Sequence, residues 1–471
     1  MTTTPTTPTT PGTPGTPLDV ARPATSLRGL CGGRVALPGD DGYDAARVAW
    51  NLAADQRPAA VAVPRSVEET AEVVRAAAAA GLRVAAQSTG HGASALAEAD
   101  LSDTVLVRLH ELTGVSVDVE TRTARVVGGT LWADVVAAIA PHGLAALHGS
   151  APDVAVAGYA LGGGLSFFAR QHGLAAHSIT AAEVVTATGE LVRADGAQNT
   201  ELLHALRGGG GNLGVVVALE IALLPIADVY GGMLLWDRER AAEVVRAWTE
   251  WTRDLPESVT TSLRVMSFPP LPELPPFLSG RDLVIVDGAV LEDDDTAAAL
   301  LAPLRALAPE LDTFGRMPAA GMLGVHMDPP APVPSVADHA VLGPLPDAAV
   351  DALLAEVGAG TRSGLMFAEL RHLGGAVARP ADGALSHVDG DYALFCVAVA
   401  PGPEAAVAGR AAAARVVEAL APWATGRHVL TFTERPVDPA TAYSTDGLAR
   451  LRAAKTAVDP TGVFVGNHRV S

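Results

Sequence analysis

The sequence has very little cysteine and no long apolar run. Only Cys31 and Cys396 occur among 471 residues, far apart and without the spacing of zinc ligands. Neither a disulfide framework nor a metal site is therefore indicated, and the expected compartment is a reducing one, the cytoplasm. No apolar run reaches the roughly 20 residues that a membrane-spanning helix needs. We expect no membrane partner.

Positive charge is also scarce. The formal net charge is −19, from 33 Lys and Arg against 52 Asp and Glu. Such a charge repels nucleic acid and anionic membranes, so neither is an expected partner.

Length and composition predict two domains preceded by a tail. A chain of 471 residues exceeds what one hydrophobic core ordinarily supports. The first residues are rich in Thr, Pro and Gly and lack the basic and apolar regions of a signal peptide. We expect a disordered tail over 1–20.

The most informative stretch is the turn Gln-Ser-Thr-Gly-His-Gly at 87–92. It follows a predicted strand over 59–64, a helix over 67–80 and a second strand over 83–86. A glycine turn after a strand frees backbone N–H groups to bind an anion. The pattern predicts a pyrophosphate cradle that contains His91. Without further support, a lone histidine beside glycines is more often an ordinary turn residue.

Two further regions are dense in glycine. Gly149–Gly173 carries several glycines among apolar residues, which indicates that the backbone approaches something closely. Leu206–Val216 places four consecutive glycines between a predicted helix and a predicted strand. We call the turn at 87–92, Gly149–Gly173 and Leu206–Val216 the first, second and third glycine regions. The third contains Gly-x-Gly-x-x-Gly, but its order of helix, turn and strand is the reverse of the order in a dinucleotide-binding fold. NAD is therefore not favoured.

After Pro225 the pattern changes to longer strands and helices. Alternation and helical spacing predict antiparallel strands backed by helices. The predicted helices span 241–252, 296–307, 346–357 and 447–457, and the predicted strands span 259–265, 283–290, 365–373 and 392–399.

Several of these segments resemble one family. Arg57–Pro64, the turn at 87–92, Gly158–Leu165 and the closing Asn467-His468 are similar to FAD-linked oxidases of the berberine-bridge-enzyme type, within the vanillyl-alcohol-oxidase superfamily. The resemblance implies an α+β fold with a two-part PCMH-type FAD-binding domain and a substrate domain whose antiparallel sheet is backed by helices. The implied boundaries are 21–225 for the FAD-binding domain, 226–425 for the substrate domain, and 426–471 for a C-terminal segment returning to the FAD-binding domain.

The resemblance also assigns cofactor contacts. In the family the turn's histidine is bonded to the 8α methyl of the flavin, which makes His91 the expected tether. A subset of the family adds a cysteinyl bond at the position of Ala151, so a single covalent bond is expected here. The other expected FAD contacts are Gln87, Ser88, Thr89, Gly90, Gly92, Gly149, Val154, Gly158, Gly162, Gly163, Gly164, Val185, Gly211, Asn212, Gly214, Val215 and Asn467.

Three residues are candidates for proton removal from the substrate. Tyr443 lies in Tyr-Ser-Thr, which resembles the family's Tyr-x-Asn motif with Thr in place of Asn. Glu369 shares a predicted strand face with Arg371 and Leu373, which we expect to contact substrate. His387 lies in a polar loop. An exposed ion pair is an equally good interpretation of Glu369 and Arg371.

The predicted function is oxidation of a small organic substrate by covalently bound FAD, with O2 reduced to H2O2. A tailoring step in secondary metabolism, such as antibiotic biosynthesis, is the expected setting. A sugar or alcohol oxidase, a dehydrogenase with another electron acceptor, and a non-catalytic flavin-binding protein stay open. A hydrolase is not favoured, because neither Gly-x-Ser-x-Gly nor His-Glu-x-x-His occurs. The oligomeric state is open.

Overall fold

The computed structural model describes residues 23–272 and 274–470, so the tail predicted over 1–20 lies outside the described residues. The described chain forms three sheets connected by helices, which agrees with the predicted α+β class. Within these residues, no helix has both the length and the apolar character required to cross a membrane.

The first sheet is small and mainly parallel, in the order β1-β2-β4-β3. Ser66 caps its main helix by accepting from the Glu69 N–H, as the capping-box spacing predicts. The strands are β1 (Val35–Ala36), β2 (Ala60–Ala62), β3 (Arg83–Gln87) and β4 (Thr104–Arg108), and the helices are α1 (Tyr43–Arg47), α2 (Val67–Ala79) and α3 (Ser94–Ala97).

The second sheet is antiparallel, in the order β5-β6-β9-β7-β8. It packs against the first sheet through a shared apolar core. Its strands are β5 (Val115–Asp118), β6 (Thr123–Val127), β7 (Ile179–Val185), β8 (Leu191–Asp195) and β9 (Val215–Ala222), and its helices are α4 (Trp132–Ile139), α5 (Val156–Leu161), α6 (Ala169–His172) and α7 (Thr200–Leu206).

The third sheet has eight antiparallel strands in the order β13-β10-β12-β11-β16-β17-β15, with β14 also paired to β10. Four helices cover one of its faces. The strands are β10 (Asp228–Asp237), β11 (Val259–Ser267), β12 (Asp282–Val290), β13 (Leu311–Asp312), β14 (Gly315–Pro318), β15 (Ser335–Leu342), β16 (Phe367–His372) and β17 (Tyr392–Val399), and the helices are α8 (Ala241–Thr252), α9 (Asp294–Arg305), α10 (Asp347–Val357) and α11 (Pro403–Ala419).

The two faces of the third sheet differ in chemistry because side chains alternate along each strand. Leu263, Val286 and Leu370 point to the face covered by α8–α11 and lie in its apolar core. Arg264 is paired with Glu369 on one neighbouring strand and with Ile285 on the other, one position beyond these apolar pairs. The charged side chains of Arg264 and Glu369 therefore lie on the opposite face. We call this opposite face the charged face.

Arg170 joins the third sheet to the first part of the chain. Its guanidinium donates to the carbonyls of Leu373, Pro256, Val259 and Leu255. Burial lowers the Arg170 pKa to about 10. These four hydrogen bonds fix the charged face against Gly149–Gly173, the segment that carries Arg170.

The C-terminal segment returns to the first two sheets. Helix α12 (Thr445–Val458) packs on α7, and the chain after it pairs with β3 through Val84 and Phe464. The Lys455 ammonium donates to the carbonyls of Asn212 and Phe464. These contacts place the last residues beside the turn at 87–92.

Candidate flavin site

The turn at 87–92 follows β3 directly and presents unpaired backbone donors. The N–H groups of the five residues 88–92 have no acceptor in the described part of the chain. Gly90 has a φ of 90°, and a Cβ there would lie 2.9 Å from Ala49 Cβ, so the turn requires glycine. Successive free N–H groups form the kind of concavity that binds phosphate oxygens. The turn therefore fits a pyrophosphate.

His91 is held between an indole ring and a carboxylate. Trp50 stacks on its ring with 4.1 Å between centroids, and Nδ1 lies 2.8 Å from Thr89 Oγ1. Nε2 is 3.4 Å from Asp153 Oδ1, and neither atom has a hydrogen-bond partner among the described residues. Burial alone would raise the Asp153 pKa, but His91 and Trp50 outweigh it and lower that pKa. His91 thus joins the first glycine region to the second.

The C-terminal residues connect the first glycine region to the third. Asn467 Nδ2 donates to the Gly92 carbonyl at 2.6 Å. The Asn212 amide donates to the carbonyls of Gly209 and His468 and accepts from the Val470 N–H. The protein itself uses both ends of the Asn212 amide, so the predicted cofactor contact at Asn212 falls to its backbone. The Asn212 amide holds the C-terminal residues His468 and Val470 in place.

The second glycine region is shaped around Tyr159 in α5. A Cβ at Gly164 would lie 2.5 Å from the Tyr159 ring, and one at Gly149 would lie 3.1 Å from it. The Tyr159 hydroxyl is buried without a described partner. Burial raises the pKa of this phenol, and the nearby Arg371 charge opposes the rise. Gly149 and Gly164 therefore let Tyr159 direct its hydroxyl toward the charged face.

Other predicted glycines allow close packing. A Cβ at Gly162 would lie 3.1 Å from Thr431 Cγ2, and one at Gly163 would lie 2.7 Å from Leu385 Cδ2. A Cβ at Gly214 would lie 2.4 Å from Val184 Cγ1. These glycines bring the second and third regions against their neighbours, so packing alone accounts for them.

The remaining predicted cofactor contacts differ in how much of each residue a cofactor can reach. The Val185 and Val215 side chains are buried in the core shared by the first two sheets, where only their backbone can face a cofactor. Val154 is half-buried beside the neighbouring core. A Cβ at Gly158 or Gly211 would meet no atom closer than 3.6 Å, so space is open at both.

The charged face carries two buried ion pairs. Arg371 Nε donates to Glu369 Oε1 at 2.7 Å on β16, and an Arg264 N–H donates to Asp287 Oδ2 at 2.7 Å between β11 and β12. Asp287 is 0% exposed and Glu369 is 1% exposed, so the interpretation of Glu369 and Arg371 as an exposed ion pair is wrong. Carboxylates this far from water require such partners.

His326 lies between the two ion pairs. Its Nδ1 is 2.8 Å from Asp287 Oδ2, and its Nε2 is 3.5 Å from Glu369 Oε1. Burial would raise the Asp287 pKa, but His326 and Arg264 outweigh it and lower that pKa. The ring of Phe167, from the second glycine region, lies 6.2 Å from the His326 ring. The charged face therefore borders the candidate flavin site.

Arg371 is the most accessible member of this group. Its guanidinium lies 5.0 Å from the centroid of Phe432, which stacks on Phe395. Burial would lower the Arg371 pKa, but Glu369, with weaker help from Asp328, outweighs it and raises that pKa. A permanent cation on an aromatic surface is suited to hold and orient a substrate.

Three other predicted site residues lie elsewhere. The Tyr443 hydroxyl donates to the Gly208 carbonyl at 2.8 Å within a core, and its role as the base stays a prediction. His387 lies in a separate cavity with its Nε2 3.1 Å from Asp389, away from the ion pairs. Leu373 follows the end of β16 and is 1% exposed, which leaves no surface for a substrate.

Sequence reasoning missed Asp287, His326 and Tyr159. Asp287 interrupts a strand that is otherwise apolar. A buried charge needs a partner, so this pattern indicates a polar cluster in the fold. Tyr159 stands among glycines, where a large side chain is conspicuous. No sequence pattern pointed to His326, because it lies in a loop whose partners come from distant strands.

These residues fit an FAD. The five free N–H groups of the turn suit its pyrophosphate. Four buried polar atoms without a described partner border the same region, namely His91 Nε2, Asp153 Oδ1, Tyr159 OH and Thr431 Oγ1. Such atoms need hydrogen-bonding partners, and the polar edge of a flavin supplies them.

The comparisons with known proteins agree with this site. A family model described as "FAD binding domain" matches residues 58–195, which include the turn and all of Gly149–Gly173. The chain is 34% identical over 205 residues to (R)-6-hydroxynicotine oxidase of Paenarthrobacter nicotinovorans, covering 43% of this chain and 44% of that protein. It is 28% identical over 292 residues to chitooligosaccharide oxidase of Gibberella zeae, covering 60% and 56%. The chain thus spans about half the length of these relatives.

Solved structures share the whole fold. Physcomitrella patens BBE-like 1 superposes with a TM-score of 0.79 at 22% identity, covering 93% of this chain and 96% of that one. Berberine bridge enzyme from Eschscholzia californica gives 0.78 at 19% identity, covering 95% and 98%. The predicted α+β fold is confirmed, and the family model places an FAD-binding domain in its first half.

Proposed function

We propose that this chain, with its FAD-binding domain and the fold of the berberine-bridge-enzyme type, is an FAD-linked oxidoreductase that acts as an oxidase on a small organic substrate. The observation that carries the proposal is the run of five free backbone N–H groups beside His91, next to buried ion pairs on a second domain. When bound, FAD supplies a hydride acceptor that O2 reoxidises with release of H2O2.

His91 is the proposed covalent tether. Its ring is fixed by the Trp50 stack and lies between Thr89 and Asp153. Ala151, in the second glycine region, carries no thiol and forms no second bond. The proposed attachment is therefore single.

Glu369 is the proposed proton acceptor. Among the three predicted candidates it alone lies on the charged face, and Arg371 holds one of its oxygens at 2.7 Å. The Arg371 guanidinium orients the substrate above Phe432, and the bond from Arg170 to the Leu373 carbonyl fixes the end of the strand that carries Glu369 and Arg371. A positioned base of this kind typically accelerates proton transfer by about 10²–10⁴-fold.

An aromatic or heteroaromatic substrate is the preferred class. Phe395 and Phe432 line the face beside Arg371, and the name of one relative specifies a hydroxynicotine as its substrate. The setting we propose is secondary metabolism, where such rings are common. The names of other relatives specify oligosaccharides, so an oligosaccharide or alcohol is the second candidate.

The test is anaerobic bleaching of the bound flavin by alcohols, phenols, cyclic amines and oligosaccharides, followed by H2O2 measurement in air. We expect an aromatic compound to bleach the flavin, and Glu369→Gln to slow bleaching by about 100-fold or more. The matched control is Glu183→Gln, which breaks another strand carboxylate–arginine pair, with Arg125, in the second sheet. The control should bleach at the wild-type rate. Bleaching without H2O2 would indicate a dehydrogenase, and no bleaching by any class would contradict catalysis.

A further inference from the structure

His326 presents a different ring nitrogen to each of the two ion pairs. Its Nδ1 lies 2.8 Å from Asp287 Oδ2, which can only accept, so the ring proton is on Nδ1. Nε2 lies 3.4 Å from an Arg371 guanidinium nitrogen, a contact in which it accepts when the ring proton is on Nδ1. The same Nε2 lies 3.5 Å from Glu369 Oε1.

The charge balance does not require this histidine. The two carboxylates, Asp287 and Glu369, are already matched by Arg264 and Arg371. A purely structural cluster would be complete with these four groups. His326 instead connects the two pairs, with an acid fixing one nitrogen and the proposed proton acceptor facing the other. This is the arrangement of a histidine that receives and passes on a proton.

His326 also borders a route toward solvent. A small cavity is lined by His326, Arg264 and Met327. Met327 is 42% exposed, so the cavity reaches the surface. A proton on the imidazole thus has an outlet that a proton on the buried Glu369 lacks.

We propose that His326 is the relay that removes the substrate proton from Glu369, with Asp287 as its positioning residue. The inference rests on the proposed function, in which the flavin takes one hydride from the substrate and the substrate also releases one proton. Glu369 Oε1 receives this proton and passes it to His326 Nε2, which restores the carboxylate. The imidazolium, stabilised by Asp287, then releases the proton to water at the cavity.

Several charged groups surround the imidazole. Asp287 on β12 and Arg264 on β11 lie at one end, and Glu369 and Arg371 on β16 lie at the other. From the FAD-binding domain, the uncharged Phe167 ring packs against it. The pH dependence of the relay therefore reflects this whole group.

The first test measures the imidazole directly and needs no substrate. In the FAD-loaded protein labelled with ¹⁵N-histidine, the His326 resonances are those that disappear in His326→Ala. We expect the proton on Nδ1 in the wild type and a mixture of tautomers in Asp287→Asn. A proton fixed on Nε2 in the wild type would overturn the relay, whether or not the protein proves to be an oxidase.

The second test uses the compound that bleaches the flavin fastest. We expect bleaching at pH 7 to slow by about 100-fold in His326→Ala and to recover at least tenfold with added imidazole, because the removed ring leaves a space of its own size. Asp287→Asn should slow bleaching and change the shape of its pH profile. The matched control, Asp382→Asn, removes a second Asp–His pair, with 2.7 Å to His204 Nδ1, and should leave the rate within about twofold.

Two results would contradict the proposal. One is a wild-type rate in His326→Ala. The other is a loss that imidazole does not restore and that matches only the unfolded fraction in circular dichroism, which would make the cluster structural. Failure of every compound to bleach the flavin would instead contradict the proposed function, and the tautomer measurement would still test the inference.

Discussion

Glu434 gives the protein a specific pH dependence of stability. Burial raises the pKa of this carboxyl from 4.5 to about 7, although hydrogen bonds from Ala337 and Ser94 oppose the rise. These two partners belong to β15 and α3, so Glu434 lies where the third sheet meets the segment after His91. We consider the substitution Glu434→Gln, which keeps the shape and stays neutral at every pH.

The expected change in the free energy of unfolding follows from the linkage between proton binding and folding. The raised pKa means that the folded state binds the proton more tightly than the unfolded state. The bound proton therefore makes its full contribution to the free energy of unfolding below pH 4.5, and this contribution is lost as the pH rises through about 7. The full shift corresponds to about 3 kcal/mol. Because the side chain is only half-buried, we expect about 1–2 kcal/mol.

The assay is urea unfolding of the FAD-loaded protein at pH 5 and pH 8. Glu434→Gln should be more stable than the wild type by about 1–2 kcal/mol at pH 8, and the gain should shrink at pH 5. The control is Glu418→Gln, an exposed position in α11 where the same charge is removed. A gain that is equal at both pH values, or a loss at pH 8, would refute the reasoning.

Three further substitutions follow from the contacts. Tyr443→Phe should keep the flavin-bleaching rate and lower the free energy of unfolding by only about 1 kcal/mol, because one hydrogen bond to Gly208 is lost. Arg170→Leu removes the donor to four carbonyls, of which the Pro256 carbonyl keeps its bond from the Val259 N–H, and should lower the free energy of unfolding by about 4 kcal/mol in urea. Gly129→Ala places a Cβ 1.9 Å from the Leu109 carbonyl oxygen and should lower the same quantity by about 3 kcal/mol or more.

Local sequence signals predicted much of the fold. The amphipathic spacing at 241–252 and the apolar run at 392–399 match α8 and β17 at both ends. Strand β15 and helix α11 were missed. Helix α11 is so rich in alanine that its apolar stripe is indistinct, and β15 begins directly after a proline-rich loop that concealed it.

The candidate site was only partly predictable. The turn carrying His91 is local, so its glycines and its place after β3 could be read from a few residues. The relay depends on the register of three distant strands and on the loop that carries His326, and no local pattern encodes that meeting. The motif resemblance at Tyr443 likewise did not show that its hydroxyl is bonded to the Gly208 carbonyl.

The central claim is that His91 carries the flavin. The most direct measurement is the visible spectrum of the protein pellet after acid precipitation and washing. The wild type and His142→Ala, an exposed histidine after α4, should retain the yellow colour in the pellet, whereas His91→Ala should release it all to the supernatant. A yellow His91→Ala pellet, or a colourless wild-type pellet with all flavin in solution, would contradict the account.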